Sequence, residues 1–316
     1  MSRAPAPLTV ALALLASAAA SAQLTTSDIP RFYAAFDALA AAETRADSLA
    51  AVEREYFDGG SEGLRLFAKV RDLTPASVLA VMRAYPRYYA SIRADALAID
   101  RDADAIAAVL EEVRAVLPGF EVPPVTIAFG VLNTGGTAKG RHILLGAGMI
   151  GGGPAADVSE LPGYLAPYVT GGGGLGDVAT LAAHEAVHTW QRWWPLGGLA
   201  RDVLNEGVPD FVVYDLLGRD PAGDAHHRYG AARECAVWEA FAADLAAGGK
   251  TRDRWLYNGH LATEEWPGDL GYFVGRRIAA AYYQRAADKE RALGDLRRLR
   301  RYPRVLRESG YAGDCP

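Results

Sequence analysis

Ala182-Ala183-His184-Glu185-Ala186-Val187-His188-Thr189-Trp190 decides how the chain is read. It contains H-E-x-x-H, and on an α-helix positions i and i+4 lie one above the other on the same face. His184 and His188 can therefore aim two imidazoles at one ion, with Glu185 beside them but off the ligand line. Zinc hydrolysis needs this set: nitrogen ligands, an open position for water, and a carboxylate to take the proton. The helix is predicted on separate grounds. Asp177 is an N-cap residue, Val178, Leu181, Ala182, Val187 and Trp190 recur at helical spacing, and Pro195 is placed to stop the run.

A catalytic zinc wants a third protein ligand. Leu204-Asn205-Glu206-Gly207-Val208-Pro209-Asp210 follows, and leaves room for a turn and the start of a second helix facing the first. Glu206 is the candidate third ligand. Asp210, one turn on, is placed to accept the N–H of a ligand histidine and fix its tautomer. The plainer alternative for the two acids is the charged first turn of a helix, favoured by its dipole. Pro209 is expected in that first turn, or else to kink the helix.

His184-Glu185-x-x-His188 followed by Asn205-Glu206-x-x-x-Asp210 resembles the gluzincin metallopeptidases. More narrowly, Glu206-Gly207 and Gly271-Tyr272-Phe273-Val274-Gly275 are similar to a bacterial family of predicted zinc-dependent proteases related to gliding-motility lipoproteins. The resemblance covers roughly residues 120–290. It implies a zinc peptidase in which His184, His188 and Glu206 hold Zn2+, Asp210 supports a ligand histidine and Glu185 is the general base. It further implies a tyrosine or histidine for the oxyanion. Tyr272 is preferred; His226, His227, Tyr229 and His260 are the others. The interval to Glu206 is slightly shorter than in thermolysin.

The expected fold is α+β and mostly helical: a zincin-like catalytic domain over 119–316 with a small antiparallel sheet, after an N-terminal helical region at 23–118. That region is dense in alanine, with starts marked by Ser27-Asp28 and Thr74-Pro75. Phe32, Phe36 and Leu39, then Val78, Val81 and Met82, read as core stripes, and Tyr85–Tyr89 as aromatic packing at a helix break. From Phe120 the pattern changes. Val125–Val131 and His142–Ala147 read as a strand and its return about an Asn133-Thr134-Gly135-Gly136 turn. By resemblance, Ile143–Gly148 is the edge strand over the cleft, whose free backbone can pair with an extended substrate. His142 reads as a surface or rim histidine.

Gly171, Gly173 and Gly176 satisfy G-x-G-x-x-G, but no strand precedes them and Asp177 would face the pyrophosphate. A flap or connector beside the cleft is expected instead. His226-His227 reads as a solvated loop. The arginines from Arg297 to Arg307 read as a solvated helix face paired with local acids.

Residues 1–22 are expected to be a secretory signal, with an apolar run from Leu8 to Ala16 and Ala20-Ser21-Ala22 before Gln23. The residue directly after the cleavage site is Gln23, not the cysteine of a lipid anchor, and no later stretch is apolar enough to span a bilayer, so a periplasmic or extracellular protein without a membrane span is expected. A net charge of −5 argues against nucleic acid as a partner. The two cysteines, Cys235 and Cys315, are expected to pair in an oxidising compartment, for on the order of 4 kcal/mol. The function expected is peptide-bond hydrolysis on a peptide or protein substrate. The alternatives are a hydrolase of other amides or esters and a non-catalytic binding or assembly protein on the same scaffold.

Overall fold

The computed structural model describes residues 23–171, 177–220, 223–248 and 251–315. The expected signal segment lies outside them, as does most of the second glycine run. Four short strands are β1 (Leu24–Thr25), β2 (Val125–Ala128), β3 (Gly136–Lys139) and β4 (His142–Gly146). The helices that matter to the site are α1 (Asp28–Ala38), α2 (Ala103–Val116), α3 (Val178–Trp190), α4 (Gly198–Asp210), α5 (Ala225–Ala232), α6 (Leu270–Arg285) and α7 (Tyr302–Ser309). The chain is therefore mostly helical, with one small sheet.

The sheet is mixed, which corrects the antiparallel expectation. Its order is β1-β2-β4-β3, with β1, β2 and β4 parallel and only β3 antiparallel to β4. The hairpin partner of β4 is Gly136–Lys139, of which the sequence pattern places Gly136 in the turn and leaves the rest unassigned. The real turn is Gly140-Arg141, where Gly140 has φ +60° and Lys139 pairs with His142. β2 and β4 are buried almost throughout, as inner parallel strands are. Ile143 and its neighbours are thus not the sheet's edge. That edge belongs to β3, and residues 147–148 are already helical.

The segment 23–118 is helical apart from β1, and it shares its core with the rest. Phe32 of α1 stacks on Phe129 at 3.9 Å between ring centres, and Tyr56 donates to the Phe129 carbonyl at 2.6 Å. Val78, Met82, Tyr88 and Tyr89 are buried in the same core. Asp28 is buried and accepts from the Ser61 backbone N–H and hydroxyl, which satisfies its charge.

α2 packs on α3, and α4 packs closely along α6. A Cβ added to Gly207 would sit 2.1 Å from the Gly275 carbonyl carbon, and one added to Gly275 would sit 1.9 Å from the Val203 carbonyl oxygen. The glycines following Glu206 and closing the Gly271–Gly275 motif are therefore contact points where two backbones touch. Cys235 and Cys315 lie at disulfide distance, with Cα atoms 4.8 Å apart. No helix among the described residues is long and apolar enough to cross a membrane.

Candidate metal centre

Asp177 caps α3, its side chain accepting from the Thr180 N–H at 2.7 Å. α3 ends at Trp190, before Pro195 can act, and His184 and His188 lie one turn apart, their rings edge-on with centres 5.0 Å apart. α4 differs from expectation. It begins at Gly198, more than two turns before Glu206, after Gly197 (φ +146°) and Gly198 (φ +60°) reverse the chain. Glu206 is therefore mid-helix, so a first-turn dipole does not explain it. Pro209 lies near the helix's C-terminal end, where a π-helical turn, Phe211–Leu216, takes over.

The structure brings the three candidate ligands together. Glu206 Oε2 lies 3.3 Å from His188 Nε2 and 3.6 Å from His184 Nε2, and the donor atoms of all three residues fall within 4.8 Å of one another. The three residues can hold a metal ion, because their other polar atoms are engaged elsewhere. His184 Nδ1–H donates to Asp210 Oδ1 at 2.8 Å. Asp210 also accepts from His227 Nε2 at 2.8 Å, through its other oxygen. Burial opposes the Asp210 charge, but these two hydrogen bonds outweigh it and hold the carboxyl well below its usual range. Being acceptor-only, it fixes the proton of His184 on Nδ1 and leaves the Nε2 lone pair facing Glu206.

His188 is oriented by a route that the sequence did not disclose. Pro209 has no N–H, so the Asn205 carbonyl one turn back has no helical partner. It accepts instead from Gln191 Nε2 at 3.1 Å. That contact sets the amide's orientation, so Gln191 Oε1 faces His188 Nδ1 at 2.8 Å and accepts its N–H. The second imidazole thus also turns Nε2 to the centre.

Glu206 is held in the same manner. Its Oε1 accepts from Asn205 Nδ2 at 2.6 Å and from the Tyr257 hydroxyl at 2.5 Å, leaving Oε2 free. Tyr257 sits at φ +57°, and Asp269 at φ +66°. Between them Asn258 and Asp269 exchange backbone-to-side-chain bonds of 2.7 and 3.3 Å. Two left-handed, non-glycine residues pinned together at a cavity wall are backbone strain held in place by its surroundings. Nothing in the sequence near Tyr257 announces that it meets Glu206.

Electrostatically the cluster is tightly coupled. Burial disfavours the imidazolium of His184, but Asp210 and Glu206 outweigh it and raise its pKa well above the usual value. His188 is raised for the same reason, through Glu206. Burial also works against the Glu206 charge, yet the two histidines hold its carboxyl well below the usual range. Glu185 is different. Burial raises its carboxyl pKa against the pull of both histidines, and its oxygens have no hydrogen-bond partner among the described residues. The β3 backbone crosses close over it: a Cβ at Gly136 would lie 2.7 Å from Glu185 Oε1, so any larger residue there must displace the Glu185 side chain.

These groups line one open cavity of about 1250 Å³. Tyr272 reaches it as the third residue of α6, its ring 5.9 Å from that of His184. His226 lines it too, and burial, with His227 beside it, pushes its pKa down to about 3. His260 stands at the mouth near Tyr164. His227 is buried on α5 behind Asp210, so His226-His227 is no solvated loop. Tyr229 is not brought to the cavity; its hydroxyl binds the Glu265 carbonyl. His142 bonds Thr126 on the neighbouring strand at 2.9 Å. Comparison of the chain with protein-family models, with curated proteins and with solved structures finds no match to any of them.

Proposed function

We propose that the chain is a zinc-dependent hydrolase that cleaves peptide bonds in a periplasm or outside the cell. The observation that carries this is the convergence of His184, His188 and Glu206 beside a buried carboxylate with no hydrogen-bond partner among the described residues, in an open cavity. Tetrahedral zinc with bonds of about 2.0–2.1 Å sets its ligand atoms roughly 3.3 Å apart. Glu206 Oε2 stands 3.3 and 3.6 Å from the two Nε2 atoms, which fits. The nitrogen and carboxylate donors, each steadied by an outer hydrogen bond, suit zinc and leave a fourth position open. Bound there, zinc supplies a Lewis acid and brings the pKa of a water it holds towards about 7.

The chain's own residues do the rest. Glu185 accepts the proton of the attacking water and delivers it to the leaving nitrogen; its raised pKa brings it nearer to working pH. Tyr272 donates to the oxyanion, while Tyr257 keeps Glu206 in place. The unpaired edge of β3 favours a peptide over a small ester, because an extended backbone can add to it directly above Glu185. The paired cysteines suit an oxidising compartment.

The test pairs elemental analysis for zinc with turnover of a quenched fluorogenic peptide library, for wild type and Glu185→Gln. Both proteins are expected to carry zinc, with turnover lower in the variant by about 10²–10⁴-fold. Equal turnover in the two would remove the mechanism. Zinc-loaded wild type without turnover would favour a non-catalytic scaffold.

A further inference from the structure

After α3 the chain leaves the metal site through Arg192-Trp193-Trp194-Pro195-Leu196, every residue exposed. Trp193 is 66% exposed, Trp194 39% and Leu196 67%. Neither indole N–H has a hydrogen-bond partner among the described residues. Large apolar side chains clustered in the open mark a contact site, whereas single ones do not.

The loop has a companion. Arg192 N–H donates to the Arg297 carbonyl at 2.7 Å and the Arg192 carbonyl accepts from Leu299 N–H at 3.3 Å, a parallel bridge that lays the loop along the C-terminal arginines. Those arginines are only partly the acid-paired face expected from sequence. Arg301 and Arg304 do reach Asp295. Arg297 and Arg298 instead donate to the carbonyls of Trp190 and Gly294, each at 3.0 Å. The side chains of Arg192 and Arg300 are exposed and have no partner among the described residues. Burial and the nearby charges of Arg192 and Arg298 together lower the Arg297 pKa. A chain of net charge −5 thus carries a concentrated positive ridge beside its most exposed aromatic loop.

Unpaired guanidinium groups beside exposed tryptophans match one environment closely. At a bilayer surface, tryptophan sits at headgroup level with its N–H in the polar layer, and arginine forks meet phosphate oxygens. A substrate in the cleft would not cover the whole loop, since only Trp193 of these residues borders the cavity. We propose that the 192–196 loop and the Arg298–Arg300 ridge dock on a bilayer containing anionic phospholipid, with Trp193, Trp194 and Leu196 entering the headgroup region. Because Trp193 borders the cavity, docking sets the mouth of the metal site against the lipid surface. The inference does not rest on the hydrolase reading and is tested without turnover.

The test is co-sedimentation of the full chain with phosphatidylcholine vesicles, with and without ~30% phosphatidylglycerol. Binding is expected to the anionic vesicles only, and to weaken as salt rises. Arg192→Ala with Arg300→Ala should weaken it roughly thirtyfold, from about 1 kcal/mol per basic residue. Trp194→Ala with Leu196→Ala should weaken it at least about tenfold. Brominated lipid should quench wild-type tryptophan fluorescence more than that of Trp193→Ala/Trp194→Ala. Zinc content and melting temperature control for folding. Equal binding to neutral and anionic vesicles, or variants that bind as wild type, would overturn the proposal. So would capture of soluble polyglutamate as tight as that of vesicles without bromolipid quenching, which would point to an acidic protein.

Discussion

Two histidine pairs lie at the metal centre, each close enough to an acid to hold an ion, but only one has both rings fixed by outer hydrogen bonds. His184 and His188 are one helical turn apart, so they share a face, and each Nδ1 is tied down, by Asp210 and by Gln191. Both Nε2 atoms then point at Glu206 Oε2. His226 and His227 are consecutive, and consecutive helical residues do not share a face. Their rings lie 4.4 Å apart, yet they serve different partners: His227 is spent on Asp210, while His226 has no hydrogen bond among the described residues. His227 Nδ1 is buried without a hydrogen-bond partner among the described residues. Asp210, the acid common to both pairs, already accepts from one histidine on each oxygen. Both groups bring metal-binding residue types within 4.8 Å of one another, so proximity alone does not rank them. What separates the two pairs is whether the outer atoms are fixed so that the inner lone pairs converge.

The contrast can be broken most forcefully at His188. With apparent zinc affinities of about 10–16 kcal/mol for four-ligand sites, one ligand is worth about 3 kcal/mol. His188→Ala should therefore weaken zinc binding more than a hundredfold in a competition titration with a chelator. Gln191→Ala removes only the outer contact, and it should weaken zinc by about ten- to a hundredfold. No loss there would show that the Pro209–Asn205–Gln191 route does not hold the imidazole.

Acid should act on the ligand pair His184 and His188. His184 and His188 have raised pKa values in the metal-free protein, so protons compete with zinc from above the ordinary histidine value of about 6.5 downwards. The sign for stability follows. A raised histidine pKa stabilises the metal-free fold below the unfolded value, and that contribution is lost as pH rises through the folded one. The melting-temperature gap between zinc-loaded and metal-free protein should therefore widen from pH 6 to pH 8 by calorimetry; a gap that narrows contradicts the assignment. The smallest effect belongs to His226. Held neutral and outside the ligand set, it should leave zinc affinity within about twofold when changed to alanine.

How legible this was differs from residue to residue. α3 announces itself, because its cap, its apolar spacing and its two histidines agree at one period. Glu206 and Asp210 could be picked from their distance to His188, but not their mid-helix setting, since the helix start depends on the backbone freedom of Gly197 and Gly198. The sheet was misjudged because Gly136 reads with the Asn133–Gly136 turn, and the four residues Gly136–Lys139 carry no apolar alternation of their own; they are a strand through their pairing with β4. Tyr257 was invisible: a local left-handed bend and long-range packing place it on Glu206, fifty-one positions away in sequence. Gln191 carried one faint signal, since a proline late in a helix leaves the carbonyl of residue 205 in need of a donor.

The most direct measurement is anomalous X-ray diffraction at the zinc absorption edge from crystals of the zinc-loaded protein. The account predicts one strong peak about 2 Å from His184 Nε2, His188 Nε2 and Glu206 Oε2. A peak among Asp210, His226 and His227 instead, or none with zinc present at saturating concentration, would contradict it.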